Sequence, residues 1–262
     1  MKPWKGRAAD QEVFDYGMFI GSMTWLLRTN PRLAYAVHEL SKFINNPGPD
    51  HIKAAQRVLA NVRKDPDAGL TFHGSEAVLK QSYYHKDTMV AACDSGFSFT
   101  GEKANSGATI LMNGAAILHV SRTQSTVSRQ STEAEVKAIS LIAETLQAVV
   151  PVWEELFGVK HPSVRVMVDN KGAKKQVEAG ADNAASAAYI RCKRYAESKI
   201  YSALMWMDHV PGEENPADMA TKQVRDTSEF EKKNGVISGE KPYLFESAEI
   251  AAIKRKVFGV AK

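Results

Sequence analysis

The sequence predicts an α/β fold, a mixed sheet with helices packed on it, behind a small all-helical unit. Three observations carry that prediction. Short β-prone runs cluster between Thr88 and Val120, and Asn113-Gly114 supplies a hairpin turn between two of them. A long stretch opening at Ser131 repeats apolar residues at steps of three and four, which is the helical period. Before Phe72 the texture is helical only, with Pro and Gly punctuating three runs.

The chain has 262 residues, enough for one large domain or two smaller ones. Its 34 Lys and Arg exceed its 30 Asp and Glu, giving a net charge of +4. That mild excess permits an anionic partner such as nucleic acid without demanding one. Two cysteines, Cys93 and Cys192, cannot make a disulfide framework, so a reducing compartment is the default. No apolar run approaches ~20 residues, and no signal peptide opens the chain. These features predict an intracellular location, cytoplasmic or nuclear, and no membrane partner.

In chain order, Val13 to Leu27 predicts a first helix with Phe14, Met18, Phe19, Met23, Trp25 and Leu26 available for packing. Asn30-Pro31 opens a second, Asn as cap and Pro at the first helical position, carrying Leu33, Ala34, Val37, Leu40 and Phe43. Pro47-Gly48-Pro49-Asp50 breaks it, and a third helix runs through Ile52, Ala55, Val58, Leu59 and Val62. Nothing in this unit, residues 12–72, looks like chemistry; it reads as a scaffold.

From residue 85 to 226 the order is β-β-β-α-β-α-α-β-α. Strands are expected at Thr88–Cys93, Ala108–Met112, Ala116–Val120, Val164–Val168 and Leu204–Val210. The long helix from Ser131 should pass through Pro151 with a kink, since apolar residues resume at Trp153. Its face is Ile139, Ile142, Leu146, Val149, Trp153 and Leu156. Gly172–Glu178 and the basic Ala184–Tyr201 are two further helices, and Asn215-Pro216-Ala217-Asp218 begins a closing one. Residues 227–262 form a polar extension with one expected helix, Ser247–Val257.

Four acids share one kind of position. Asp94 and Asp169 are placed at strand exits, Glu135 in the first turn of the long helix, and Asp218 in the first turn of the last. Ser131 or Thr132 can cap the long helix. Four residues back from Ile139 lies Glu135, so it points with the core-facing residues, whereas Glu133 pairs with Lys137 at i,i+4 on the wet side. A carboxylate at the edge of a buried stripe needs either a basic partner or a metal ion. Singly, each Asp is most often a turn or cap residue. Together, four convergent carboxylates would repel one another unless cations sit among them, and oxygen-only ligands favour Mg²⁺ or Mn²⁺. Two such ions ~4 Å apart stabilise both the attacking and leaving oxygens in phosphodiester cleavage.

The motifs around these acids carry a resemblance. They are Phe19-Ile20-Gly21-Ser22-Met23, Asn30 to Val37, Cys93-Asp94-Ser95, Gln130-Ser131-Thr132-Glu133-Ala134-Glu135, Val168 to Ala173, and Val210-Pro211-Gly212 with Asn215 to Lys222. The chain resembles the C-terminal part of copia-type (Pseudoviridae) retrotransposon polyproteins: the end of the reverse transcriptase and its ribonuclease H domain, over residues 12–225. The resemblance implies an RNase H-like fold behind a helical connector left from the polymerase. It also implies an endonuclease that hydrolyses the RNA strand of RNA–DNA hybrids with two Mg²⁺, using Asp94, Glu135, Asp169 and Asp218 as metal ligands and catalytic acids. Expected partners are the hybrid and the rest of a reverse transcriptase.

Departures from the family pattern point the other way. Gly96 and Phe97 stand where the family has a second acid and an aromatic, Ala188-Tyr189-Ile190-Arg191 replaces its Lys-His-Ile-Asp, and the polymerase's paired-Asp motif is absent. The family's cellular cousins often carry a histidine just before the last acid; here Val210 to Asp218 has none, and His209 reads as a strand-end residue. The alternative is a domesticated module that keeps the fold for binding or structure without cleaving. Arg122, Arg129, Lys171, Lys174, Lys175 and the helix bearing Arg191, Lys193, Arg194 and Lys199 are candidates for phosphate contacts, although that helix reads equally as a solvated face. Ser125 to Ser128 offer hydroxyls to sugar or phosphate.

Overall fold

A computed structural model describes residues 4, 15–75, 86–97, 101–179, 187–243, 245–248 and 250–252. The sheet has five strands: β1 (Met89–Gly96), β2 (Asn105–Met112), β3 (Ala115–Thr123), β4 (Val164–Val168) and β5 (Met205–His209). Their spatial order is β3-β2-β1-β4-β5. The first three form an antiparallel meander, and β4 and β5 continue the sheet in parallel with β1. Asn113 and Gly114 both take positive φ, 51° and 90°, which is the turn geometry that matches strand twist in a two-residue hairpin. This is the mixed sheet with flanking helices that the sequence predicts.

Alternation of side chains divides the sheet into two apolar faces. One face, including Ala91, Cys93, Val164, Val166 and Val168, packs against α4 (Ser131–Phe157), α5 (Lys171–Glu178) and α6 (Ala187–Tyr201). The other, including Val90, Ala92 and Met167, is covered by Ala217 and Met219 of a short 3-10 strap and by Val236 and Ile237 of α7 (Thr227–Ser238). Ile139, Ile142 and Leu146 of α4 are fully buried. Pro151 lies inside α4 without ending it. Near the end the apolar stripe shifts to Val150 and Trp153, and Leu156 is 77% exposed, contrary to the expected face. A straight helix drifts relative to any fixed three-and-four pattern, so the last member falls off the contact. Among the described residues α4 is the one helix long and apolar enough to cross a membrane; here its apolar face is the spine of the larger core.

The helical unit comprises α1 (Tyr16–Leu26), a 3-10 turn (Pro31–Leu33), α2 (Ala34–Ser41) and α3 (Pro49–Lys64). Tyr16, Phe19, Ile20, Met23, Leu33, Val37, Leu40 and Ala55 make its own small core, and the Tyr16 hydroxyl donates to the Leu40 carbonyl at 2.8 Å. Met18 and Trp25, expected to pack, are exposed at 68% and 66% because the buried arc of α1 is narrow. Asn30 precedes the turn but makes no side-chain cap bond. Val13 and Phe14 lie outside the described residues. Polar contacts join this unit to the sheet edge: His38 Nε2 lies 2.9 Å from the Thr123 hydroxyl, and Asn105 donates to Glu39 at 2.8 Å.

Several elements depart from the expected bounds. Asp94 is not past the end of its strand, because β1 runs on to Gly96 and Asp94 pairs with Gly107. Asp218 sits in the 3-10 strap Pro216–Ala220 rather than in an α-helix. The strap starts with Asn215, whose side chain accepts from the Ala217 N–H at 3.0 Å. The stretch from Thr227, read as a polar extension, instead forms α7, capped by Asp226 accepting from the Glu229 N–H at 2.9 Å and closed by Gly239 at φ 83°. Of the helix expected at Ser247–Val257, residues 248 and 250–252 are helical and Ser247 precedes it, while the rest lies outside the described residues, as does the start of the helix expected from Ala184.

Candidate metal centre

Register brings the first two acids together. Ala92 of β1 is level with Met167 of the parallel β4, so two residues further Asp94 and Asp169 emerge side by side at the same sheet edge. Glu135 reaches that edge from just beyond the first turn of α4, and the Ser95 hydroxyl donates to its Oε1 at 2.8 Å. Asp94, Glu135 and Asp169 each place one carboxylate oxygen within 4.8 Å of the other two. The distinction between the two glutamates is clear. Glu133 turns away, accepting from the Arg129 N–H at 2.9 Å and pairing with Lys137 at 3.0 Å. That pair is largely buried rather than on the wet side, because the Lys137 ammonium tucks under the preceding loop and donates to Ser128 at 2.9 Å. The helix cap is Gln130, with no side-chain bond, so neither Ser131 nor Thr132 caps it.

Electrostatics follow from burial. Desolvation, then Asp169, pushes Asp94 up to about 6, against the Thr221 hydroxyl that donates to it. Desolvation, then Asp94 and Asp169, pushes Glu135 up to about 9. Asp169 is raised chiefly by desolvation. Buried Cys93, just below the cluster, is raised well above the ordinary thiol range by desolvation and the same three acids. An all-oxygen set whose members are driven toward neutrality by burial and then by mutual repulsion is the donor set a hard divalent cation would satisfy. The three acids therefore fit Mg²⁺ or Mn²⁺.

Asp218 is close enough to raise both Asp94 and Asp169, yet it is not one of the converging three. It is fully buried, and its carboxylate is held by two lysines. Lys233 of α7 reaches Oδ2 at 2.8 Å, and Lys222 contacts Oδ1. The strap that carries it is fastened to β1. Asn215 donates to the Cys93 carbonyl at 2.9 Å, and Thr221 bonds Asp94. Gly96 lies so near that a Cβ there would be 2.4 Å from the Thr221 carbonyl oxygen. The place of the family's second acid is thus sterically closed to any side chain. Ser95, Thr221, Lys222 and Lys233 were missed in the sequence reading. The Thr-Lys pair ending the Pro-Ala-Asp-Met-Ala-Thr-Lys motif was the available signal for two of them.

The basic candidates divide. Arg122, Arg129, Lys171, Lys175, Arg191 and Arg194 are exposed. Lys174 is engaged with Glu178 at 2.8 Å. Lys193 is fully buried, which corrects its place on a phosphate-facing surface: Tyr189, Lys193 and Ala196 form the inward stripe of α6 at i, i+4, i+7. Arg122, Ser125 and Thr126 line an open cleft of about 200 Å³, whereas the Ser128 hydroxyl is buried and donates to Gln124. His209 ends β5 with Nε2 3.1 Å from the Asp169 carbonyl.

No protein-family model matches the chain. It is 26% identical over 226 residues to the retrovirus-related Pol polyprotein of transposon RE2 from Arabidopsis thaliana, a match covering 85% of this chain. Against the corresponding polyprotein of transposon TNT 1-94 from Nicotiana tabacum it is 27% identical over 221 residues, 80% of this chain. Over 80–85% of its length the chain is thus similar to the Pol polyproteins of copia-type retrotransposons. Each of those matches spans 15% of the polyprotein's length, so this chain corresponds to a small part of those relatives. It is also 30% identical over 122 residues to the secreted RxLR effector protein 161 of Plasmopara viticola, covering 46% of this chain and 81% of that one. Among solved structures, LC11-RNase H1 isolated from compost overlays 52% of this chain and 93% of its own at 19% identity, TM-score 0.41. RNase H1 from Halobacterium salinarum overlays 51% and 94% at 18% identity, TM-score 0.38.

Proposed function

We propose that the chain is an RNase H-type endonuclease that hydrolyses the RNA strand of RNA–DNA hybrids with divalent metal ions. The observation that carries this reading is the convergence of Asp94, Glu135 and Asp169 at one sheet edge, from two neighbouring strands and a helix start. Mg²⁺ is the expected ion and Mn²⁺ a replacement. When bound, such an ion would stabilise the charge that develops on the attacking and leaving oxygens of the scissile phosphodiester. Asp94, Glu135 and Asp169 would hold it. Ser95 orients Glu135 and Thr221 orients Asp94 through their hydroxyls. Glu135 carries a proton near neutral pH in the free site and gives it up on loading. Arg122, Arg129 and Lys171, exposed around the site, would track phosphates without reading bases. Lys174 and Arg194 are further candidates, while Lys193 supports the fold from inside.

A non-cleaving, domesticated module is the second reading, favoured by one observation: the lysine-paired state of Asp218. One experiment separates the two. Purified chain is incubated with a hybrid labelled on its RNA strand, with Mg²⁺ or with EDTA, beside Asp169→Asn. The nuclease reading expects Mg²⁺-dependent cleavage in the wild type and loss of at least a hundredfold in the variant. Hybrid binding without cleavage would overturn it in favour of the second reading.

A further inference from the structure

The loop that leads into α4 is fastened by one side chain that the site as drawn so far does not use. Gln124 follows directly on β3 and is 6% exposed. Its amide nitrogen donates to the Ser106 hydroxyl and to the Ala134 carbonyl, both at 2.9 Å, and its amide oxygen accepts from the Ser128 hydroxyl at 2.8 Å. A carbonyl can only accept, so the bond to Ala134 fixes which end of the amide is nitrogen, and both amide hydrogens are then used. Ser128 in turn accepts from Lys137 of α4 at 2.9 Å, which closes a buried ring on the helix. Ser106 stands opposite Ser95 in the β1–β2 register, so the two serines are neighbours on one face of the sheet. Ser95 holds the Glu135 carboxylate, and Ser106, through Gln124, holds the backbone one residue before it. We propose that Gln124 is a positioning residue of the metal centre: it fixes the start of α4 against β2 and so sets where the Glu135 carboxylate stands relative to Asp94 and Asp169. The inference rests on the metal-dependent reading above and deepens it with a residue that touches no ion.

The physical argument is about what else could hold Glu135. Three converging acids repel one another, so the free site has no attraction of its own to keep them together. The cap of α4, Gln130, makes no side-chain bond that would tether the helix start. Apolar contacts of Val136 and Ile139 keep the helix on the sheet, but they are non-directional, and hydrogen bonds must set its register. Ser95 grips only the tip of the Glu135 side chain, whereas Gln124 grips the backbone that carries it. Mg²⁺ demands near-octahedral oxygens at roughly 2.0–2.1 Å, so a shift of the helix start by about 0.5 Å is enough to weaken ligation. Methionine in place of Gln124 would fill the same space while releasing Ser106, Ala134 and Ser128 together.

The test is calorimetric Mn²⁺ titration of the whole chain without substrate, at a temperature where circular dichroism shows each variant folded. Gln124→Met should weaken Mn²⁺ binding by about fivefold or more. Arg165→Ala, which strips a buried ion pair near the opposite end of β4 from Asp169, should bind within about twofold of wild type although it too is destabilised. Ser106→Ala, a milder change, should weaken binding by about threefold and add nothing to Gln124→Met, since both act through one clamp. Gln124→Met binding as tightly as wild type would overturn the proposal. An equal loss in Arg165→Ala would also overturn it, because affinity would then follow stability alone, as would losses that add in the double variant. If Gln124→Met does not fold, Ser106→Ala decides, and wild-type affinity there overturns the proposal. In all these outcomes the wild type still takes up Mn²⁺ and the metal-dependent reading stands. No ion in the wild type would overturn both, so the two failures are distinguishable.

Discussion

Asp94→Asn should stabilise the metal-free protein, and by an amount that depends on pH. Asp94 is displaced from 3.8 to about 6 by desolvation and by Asp169. At 1.36 kcal/mol per pH unit, that displacement means ionising it in the folded protein costs roughly 3 kcal/mol. The sign follows from linkage. The unfolded chain loses the proton near 3.8 and the folded chain only near 6, so stability falls as pH rises through that window and stays lowered above it. Asparagine has no proton to lose and keeps an oxygen for the Thr221 hydroxyl. The relief is shared with Glu135 and Asp169, which titrate with Asp94, so the expected gain is about 1–3 kcal/mol at pH 8 and close to zero at pH 4. Urea unfolding in EDTA at the two pH values measures it. A variant no more stable than wild type at pH 8, or one equally stabilised at pH 4, would refute the reasoning that an empty, self-repelling cluster strains the fold.

The other predictions touch different parts of the molecule. Gly96→Asp, which installs the acid the family usually carries, should cost about 2 kcal/mol or more and lower the melting temperature, because its Cβ would overlap the Thr221 carbonyl 2.4 Å away. Arg165→Ala should cost about 3–5 kcal/mol in urea unfolding, since it strips the buried Asp208 of the guanidinium whose Nε donates to it at 2.6 Å. Mn²⁺ affinity should rise between pH 6 and pH 9, because Glu135, raised to about 9, must release a proton to ligate; a pH-independent calorimetric affinity would contradict that. Replacing exposed Arg122 and Arg129 with Ala should flatten the salt dependence of hybrid binding by about one unit each, while Lys193→Ala, at a buried site, should lower stability and leave the salt slope alone.

What the sequence determines here is what short-range pattern can encode. Val164–Val168 is a strand with the expected bounds because a continuous apolar run between turn residues has one sensible reading. Asn113-Gly114 makes its hairpin because only such residues adopt positive φ cheaply. Glu135 is told from Glu133 by a step of four residues along one helix, and the place of Asp169 just past its strand follows from the apolar run before it, whereas pairing with β2 carries β1 on past Asp94 to Gly96. Tertiary structure alone decides whatever joins residues far apart in the chain. Periodicity says that a face is apolar but not which element covers it, so α7, which seals the second face of the sheet, and the inward turn of Lys193 were misread as surface. Charge spacing along one element says nothing of partners on another. The sequence groups Asp218 with the other acids, and only the fold shows that Lys233, fifteen residues on, donates to it. Gly96 looks like a lost acid, and packing shows a backbone too close to admit any side chain. Each depends on desolvation or close approach, and those exist only after the strap has folded across β1.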